Sequence, residues 1–287
     1  MGDKIDTFCR SDETNCGLVD FPTYGSNKDI PPNQRIENGL GNVTFPPLEI
    51  QTNVTVVDIL DLSDETSSFS VIFIIDLEWN DLNLKFKYLK EDSQSNSIDK
   101  ETFEQRMWKP QLNFGTLAGT AEHPKVVFEE IVVIRSHKAT LANDIDQVFY
   151  NESYLGSENK IHSKRIYQAT FNCKFNGIYL YPFGTNECHF RFFLKGASNK
   201  MTTFKLLPLN YLAGSVVGEF NVNGITMEES YQRGLHNVVV SIEVLRSRLS
   251  IILVTYLPTI LMNLINQATV YLRSNEGHDL LITVRTI

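Results

Sequence analysis

The chain has 287 residues, 42% of them hydrophobic and 21% charged, with a formal net charge of −8. That size suits one large domain or two ordinary ones, and the balance suits a packed core rather than disorder. Excess acid excludes a general nucleic-acid binder, which carries a basic stripe; acidic surfaces concentrate cations instead.

Residues 1–35 are polar, rich in Asp, Asn, Gly and Pro, and end in Pro31-Pro32. They read as an N-terminal extension or apical cap of loop character. Met1-Gly2-Asp3-Lys4 opens without the apolar core of a leader, so a secretory protein would be met here in mature form.

From Pro47 the pattern turns to alternation. Residues 48–62 and 70–79 read as two strands around a Ser/Asp/Glu turn at 63–67. Further strand-like runs cover 126–135, 147–150, 164–175, 189–194, 203–207 and 237–245. Short strands punctuated by turns predict a mainly β fold, an immunoglobulin-like β-sandwich over residues 36–248.

Two cysteines, Cys173 and Cys188, enclose 14 residues with Tyr181-Pro182-Phe183-Gly184 near the tip. The four cysteines allow three pairings; the local solution joins Cys9 to Cys16 and Cys173 to Cys188, against the bland alternative of free thiols. Closing the second loop would stabilise the fold by roughly 3 kcal/mol in the chain-entropy model. Its tip would be a stiff apolar finger, since proline fixes its own φ and restricts the preceding residue. The glycosylation sequons Asn42-Val43-Thr44, Asn53-Val54-Thr55 and Asn151-Glu152-Ser153, with the even cysteine count, point to an extracellular, oxidising location.

Residues 249–272 carry no formal charge, and Arg246, Arg248 and Arg273 flank them. As one helix they would be about 36 Å long, enough to cross a bilayer with some tilt. Thr255, Asn263, Asn266, Gln267 and Thr269 are costly against lipid, so the expected transmembrane helix packs in a bundle, kinked at Pro258. A long buried helix of a soluble domain is the alternative. Residues 273–287 read as a linker and the first turns of a second helix.

Several segments, taken in order, carry a resemblance. Trp79-Asn80-Asp81-Leu82-Asn83-Leu84 is similar to a Trp-x-Asp-x-Arg-Leu motif, with Asn83 in place of the arginine. Trp108-Lys109-Pro110-Gln111 is similar to Trp-x-Pro-Asp, with Gln111 in place of the aspartate. Gly156-Ser157-Glu158-Asn159, then Tyr167, Thr170, Phe171 and Cys173, resemble the lead-in to a cysteine loop. Tyr181, Pro182, Phe183 and Cys188 match the loop, and residues 246–258 resemble the junction into a first membrane helix. Together, over residues 47–287, these resemble the Cys-loop family of pentameric ligand-gated ion channels. The departures are one extra loop residue, Gly184 in place of the tip aspartate, and a long stretch between Trp108 and Cys173.

The resemblance implies a plasma-membrane, multi-pass subunit with an extracellular N-terminal domain. Its partners would be like subunits in a homo- or heteropentamer, the lipid bilayer, a small-molecule agonist and permeant inorganic ions. Agonist would bind between subunits and close a hairpin over the site. Strain would then reach the membrane helices through Tyr181, Pro182, Phe183 and Arg246, a population shift between closed and open states. The implied ligand residues are Phe114, Lys195, Tyr231 and His236, the last two on a hairpin from about Gly224. An aromatic cage for an ammonium is largely missing: Ile74 and Gly115 stand at expected aromatic positions and Lys195 at an expected tryptophan. Lys195 with Tyr231 suits an anionic or zwitterionic ligand better. Glu276 or Asp279 could form an acidic ring at the pore entrance and lean selectivity toward cations, although Arg285 opposes it.

Trp79 and Trp108 read as core anchors. The six histidines show no metal-ligand spacing, and the acidic pairs Glu129-Glu130 and Asp144-Asp146 make no complete oxygen-ligand loop, so no metal and no cofactor are expected. No catalytic or phosphate-binding motif occurs, which argues against an enzyme. The alternatives are a pore-less binding or decoy module on the same sandwich and an unrelated single-pass adhesion protein.

Overall fold

The computed structural model describes residues 19–20, 31–32, 46–99, 103–104, 107–115, 124–136, 140–141, 152–175, 184–195, 201–232, 235–247 and 252–275. The chain is mainly β. In order its strands are β1 (Val19–Asp20), β2 (Leu48–Ser63), β3 (Ser68–Trp79), β4 (Lys85–Lys87), β5 (Leu112–Gly115), β6 (Lys125–Ile134), β7 (Thr140–Leu141) and β8 (Glu152–Leu155). Then come β9 (Lys160–Lys174), β10 (Thr185–Leu194), β11 (Thr202–Leu206), β12 (Asn210–Tyr211), β13 (Val216–Val217), β14 (Phe220–Gln232) and β15 (Leu235–Arg246). Near the C-terminal end an α-helix, α1 (Leu257–Asn275), follows a π-helical turn over Ile252–Tyr256.

Period-two burial explains the long strands. Along β3 every second residue from Phe69 to Trp79 is buried, and β9 buries Ile161, Ser163, Arg165, Tyr167, Ala169, Phe171 and Cys173 in the same rhythm. β9 starts four residues before the expected strand because Lys160 and His162 are its outward positions and mask the alternation. The expected strand at 147–150 lies outside the described residues.

Eleven of the described strands form one curled sheet, and β1, β4, β8 and β7 form a second, smaller one. Within the large sheet, β9 and β10 pair at only two positions, Glu187 with Lys174 and Cys188 with Cys173. That narrow seam divides it into a half of β11, β12, β2, β3, β9 and β6 and a half of β5, β10, β15, β14 and β13. The halves face each other across one core. Phe73 on β3 lies 4.7 Å from Phe190 on β10, and Phe171 on β9 lies 5.1 Å from Phe190. Each such ring, fully buried, contributes roughly 1.5–3 kcal/mol. Trp79 and Trp108 meet edge to face at 6.1 Å in the same core.

Bulges bend β2 after Val56 and Ile59, and β14 after Val222. Among the described strands all pairings are antiparallel except those of β11 and β12 with β2.

The helix departs from expectation. Helical structure among the described residues begins with the π turn at Ile252, and Pro258 stands where the winding changes from π to α. Proline lacks an N–H for the helical ladder, and the wider π turn before it accommodates the ring. Nineteen residues rise about 28 Å, slightly less than a ~30 Å hydrocarbon core. Asn263, Asn266 and Gln267 dilute its apolar residues. Among the described residues no helix is long and apolar enough to cross a membrane.

Candidate functional site

One end of the curled sheet gathers three segments distant in sequence. The first is the turn between β2 and β3. Ser67 there has φ +50°, unusual for a residue with a side chain, and its carbonyl accepts the Cys173 N–H at 2.8 Å. The second is the Cys173–Cys188 disulfide, with Cα atoms 4.5 Å apart and both cysteines buried. The third is the end of β15, where Arg246 reaches two carboxylates. Its Nη2 lies 3.0 Å from Asp64 of the β2–β3 turn and 3.1 Å from Glu219 of the β13–β14 turn. Its guanidinium also stacks on Phe220 at 5.3 Å, and the next residue, Ser247, donates its N–H to the Glu219 carbonyl.

Arg246 therefore acts as a clip where the strands end and the helical segment begins. Each exposed ion pair contributes only about 0–1 kcal/mol, but one fork engaging two carboxylates and a ring fixes geometry better than separate pairs. Sequence reading singled out Arg246 and missed Asp64 and Glu219. Both lie in acidic turns whose only signal was polarity. Tyr181, Pro182 and Phe183 lie outside the described residues, as do Glu276, Asp279, Cys9, Cys16, Asn42 and Asn151.

The four implied ligand residues separate. Tyr231 and His236 are a register pair across the β14–β15 hairpin, with rings stacked at 4.5 Å and 13°. Phe114 instead points into the core, 5.1 Å from the Tyr167 ring, 5.8 Å from Phe73 and 6.0 Å from Phe192. Lys195 is exposed just beyond β10, its N–H bonded to the Gln111 carbonyl at 2.7 Å. Glu229, which sequence reading missed, stands 3.2 Å from His236 Nε2.

At the missing aromatic positions the chain has built other packing. Gly115 pairs with Arg191, and a Cβ on it would fall 2.2 Å from Arg191 Nε, so the arginine stem occupies that place. Ile74 pairs with Ile166 on the outer face of its half. Behind them Arg165 makes a buried ion pair with Glu129 at 2.8 Å and donates to the Pro110 carbonyl at 3.1 Å. Burial pushes the Tyr167 phenol above its ordinary value, partly offset by the adjacent Arg165 guanidinium.

Asn53 sits within β2, opposite Asp76 of β3, and its Oδ1 accepts from Asn210 Nδ2 at 3.4 Å. The outward face of β10, β15 and β14 holds a polar hollow of about 330 Å³, walled by Glu187, Glu243, Thr226 and Ser241 over Gly224. Among the described residues no group of three or more His, Cys, Asp and Glu side chains could hold a metal ion. Compared with protein-family models and with curated proteins, the sequence finds no match in either.

Proposed function

We propose that the chain belongs to a subunit of a pentameric ligand-gated ion channel of the Cys-loop type. In this reading the curled sheet is an immunoglobulin-like β-sandwich outside the cell, and agonist binds between neighbouring copies near the β14–β15 hairpin. The helical segment is the first of several spans in the plasma membrane. Glu276 and Asp279 stand where a pore-lining helix would begin and lean the channel toward cations.

The observation that carries the reading is the junction at Arg246. A receptor of this kind must pass movement of its strands to its helices. Here the last residue of β15 is clipped to Asp64, and the same turn holds the base of the disulfide loop through Ser67. A contact that joins strand hairpin, cysteine bridge and helix entry is suited to that transfer. The polar residues of α1 suit a helix surrounded by other helices, where partners satisfy them.

One observation favours a second reading, a pore-less binding module: no described helix is long and apolar enough to cross a membrane. One preparation separates the two. Membranes from expressing cells are washed at alkaline pH, and the retained protein is solubilised in detergent and imaged by electron microscopy. The receptor reading expects retention and five-fold rings. Release into the wash as a monomer overturns it in favour of the binding module.

A further inference from the structure

His236 is 6% exposed, near the closed end of the β14–β15 hairpin. Its side chain leaves its own half of the sheet and reaches the other. Nδ1 accepts the backbone N–H of Phe204 at 3.3 Å, and the Thr203 hydroxyl lies 3.5 Å away. β11 pairs with β2 alone among the described strands, so half of its amides face away from the ladder. His236 supplies the acceptor for one of them. The Phe204 ring stands edge-on to the imidazole at 5.4 Å, and Tyr231, 63% exposed, covers its other side.

This geometry settles the tautomer. A nitrogen that accepts a backbone N–H carries no proton, so the neutral ring holds its hydrogen on Nε2. Nε2 lies 3.2 Å from Glu229 Oε2, and Glu229 belongs to the same hairpin as His236. One imidazole thus faces two partners. Nδ1 ties the hairpin to the opposite half of the sheet, while Nε2 stands beside the Glu229 carboxylate without a hydrogen bond.

We propose that His236 is a proton-operated latch between the β14–β15 hairpin and β11. When a solvent proton binds Nδ1, that nitrogen becomes a donor, and the Phe204 N–H loses its acceptor. The imidazolium keeps Glu229. Protonation exchanges a contact across the core for an ion pair inside the hairpin, and frees the hairpin from β11.

The charged and titratable groups around the ring fit this role. From β14 come Glu229 and Tyr231. From β11 come the Thr203 hydroxyl and the Phe204 backbone, while Lys205 is exposed and occupied by Glu49 at 2.9 Å. On β15 the next residue, Asn237, donates to the Ser230 carbonyl. Lys195, beyond β10, is exposed to solvent. The latch rests on contacts within one chain and does not depend on the receptor reading.

Hydrogen exchange by mass spectrometry on the full chain tests it, with each rate divided by the intrinsic rate at that pH. Protection over residues 202–206 is expected to fall by about tenfold or more between roughly pH 8 and 5, in a single-proton step. His236→Asn keeps an acceptor near the Nδ1 position without titrating, and should abolish the step. Equal protection at both ends, or the same step in His236→Asn, overturns the latch. If the variant does not fold, the ¹⁵N imidazole spectrum of the wild type decides: the Nε2–H tautomer at about pH 8 is expected, and the Nδ1–H tautomer overturns it.

Discussion

Arg246 Nη2 lies 3.0 Å from Asp64 Oδ2, joining the last residue of β15 to the turn between β2 and β3. The same guanidinium holds Glu219, and the same turn receives the Cys173 N–H. Strand ends that would otherwise fray independently are thereby linked where the chain leaves the sheet.

Replacing Arg246 by Ala removes both ion pairs and the stack on Phe220, for an expected loss of about 1–2 kcal/mol. Asp64→Ala and Glu219→Ala should each cost about 0.5 kcal/mol, because both carboxylates are more than one-third exposed and solvent screens them. Arg246→Lys keeps the charge but cannot fork to two carboxylates, and should recover less than half of the loss. Urea titrations in an Asp64/Arg246 double-mutant cycle give the coupling directly; a value of zero would mean that the contact contributes no stability.

Gly156 is held by its own N–H to the Leu84 carbonyl at 2.9 Å, and a Cβ there would lie 2.2 Å from the Asp81 carbonyl oxygen. Backbone cannot swing aside as a flexible side chain can. Gly156→Ala is therefore expected to destabilise the fold by about 1–3 kcal/mol. A variant as stable as wild type in the same titration would refute the close approach.

The Cys173–Cys188 bridge sits at the only β9–β10 pairing among the described strands. Replacing both cysteines with serine removes the cross-link and leaves two polar atoms in a buried seam. The expected cost is about 2–5 kcal/mol, and reductant should lower the wild-type midpoint toward the variant's while leaving the variant unchanged. A reductant-insensitive wild type would argue that the bond carries little of the stability.

Tyr167 gives an alkaline dependence with a defined sign. Its phenol is raised above the ordinary value, so above about pH 10 the unfolded chain releases a proton that the folded chain keeps. The unfolded state then binds fewer protons, and stability falls as pH rises from the unfolded value through the folded one. Tyr167→Phe should remove this part of the loss. The check is unfolding free energy against pH for both proteins; parallel curves would contradict the burial of the hydroxyl.

Much of the strand pattern was legible in the amino-acid order. Period-two burial along β3 depends on each residue's own polarity and that of its neighbours two positions away, so it can be read without a partner strand. The Cys173–Cys188 pairing was legible because a short loop closes locally. α1 was harder: its apolar run was plain, but Pro258 and the preceding π turn set where α-helical hydrogen bonding begins.

What tertiary structure alone decided is which residues meet. Phe114 belongs to the core because β5 pairs with β10 and turns its ring toward Phe73 and Tyr167. Glu229 stands beside His236, and Asp64 and Glu219 beside Arg246, through register and through turns that return the chain to the same end. The amino-acid order by itself determined the alternation, the cysteine loop and the basic residue at the helix entry, because those follow from local spacing. The companions of those residues follow from strand pairing between distant segments, where a shift of one position would turn every side chain to the opposite face.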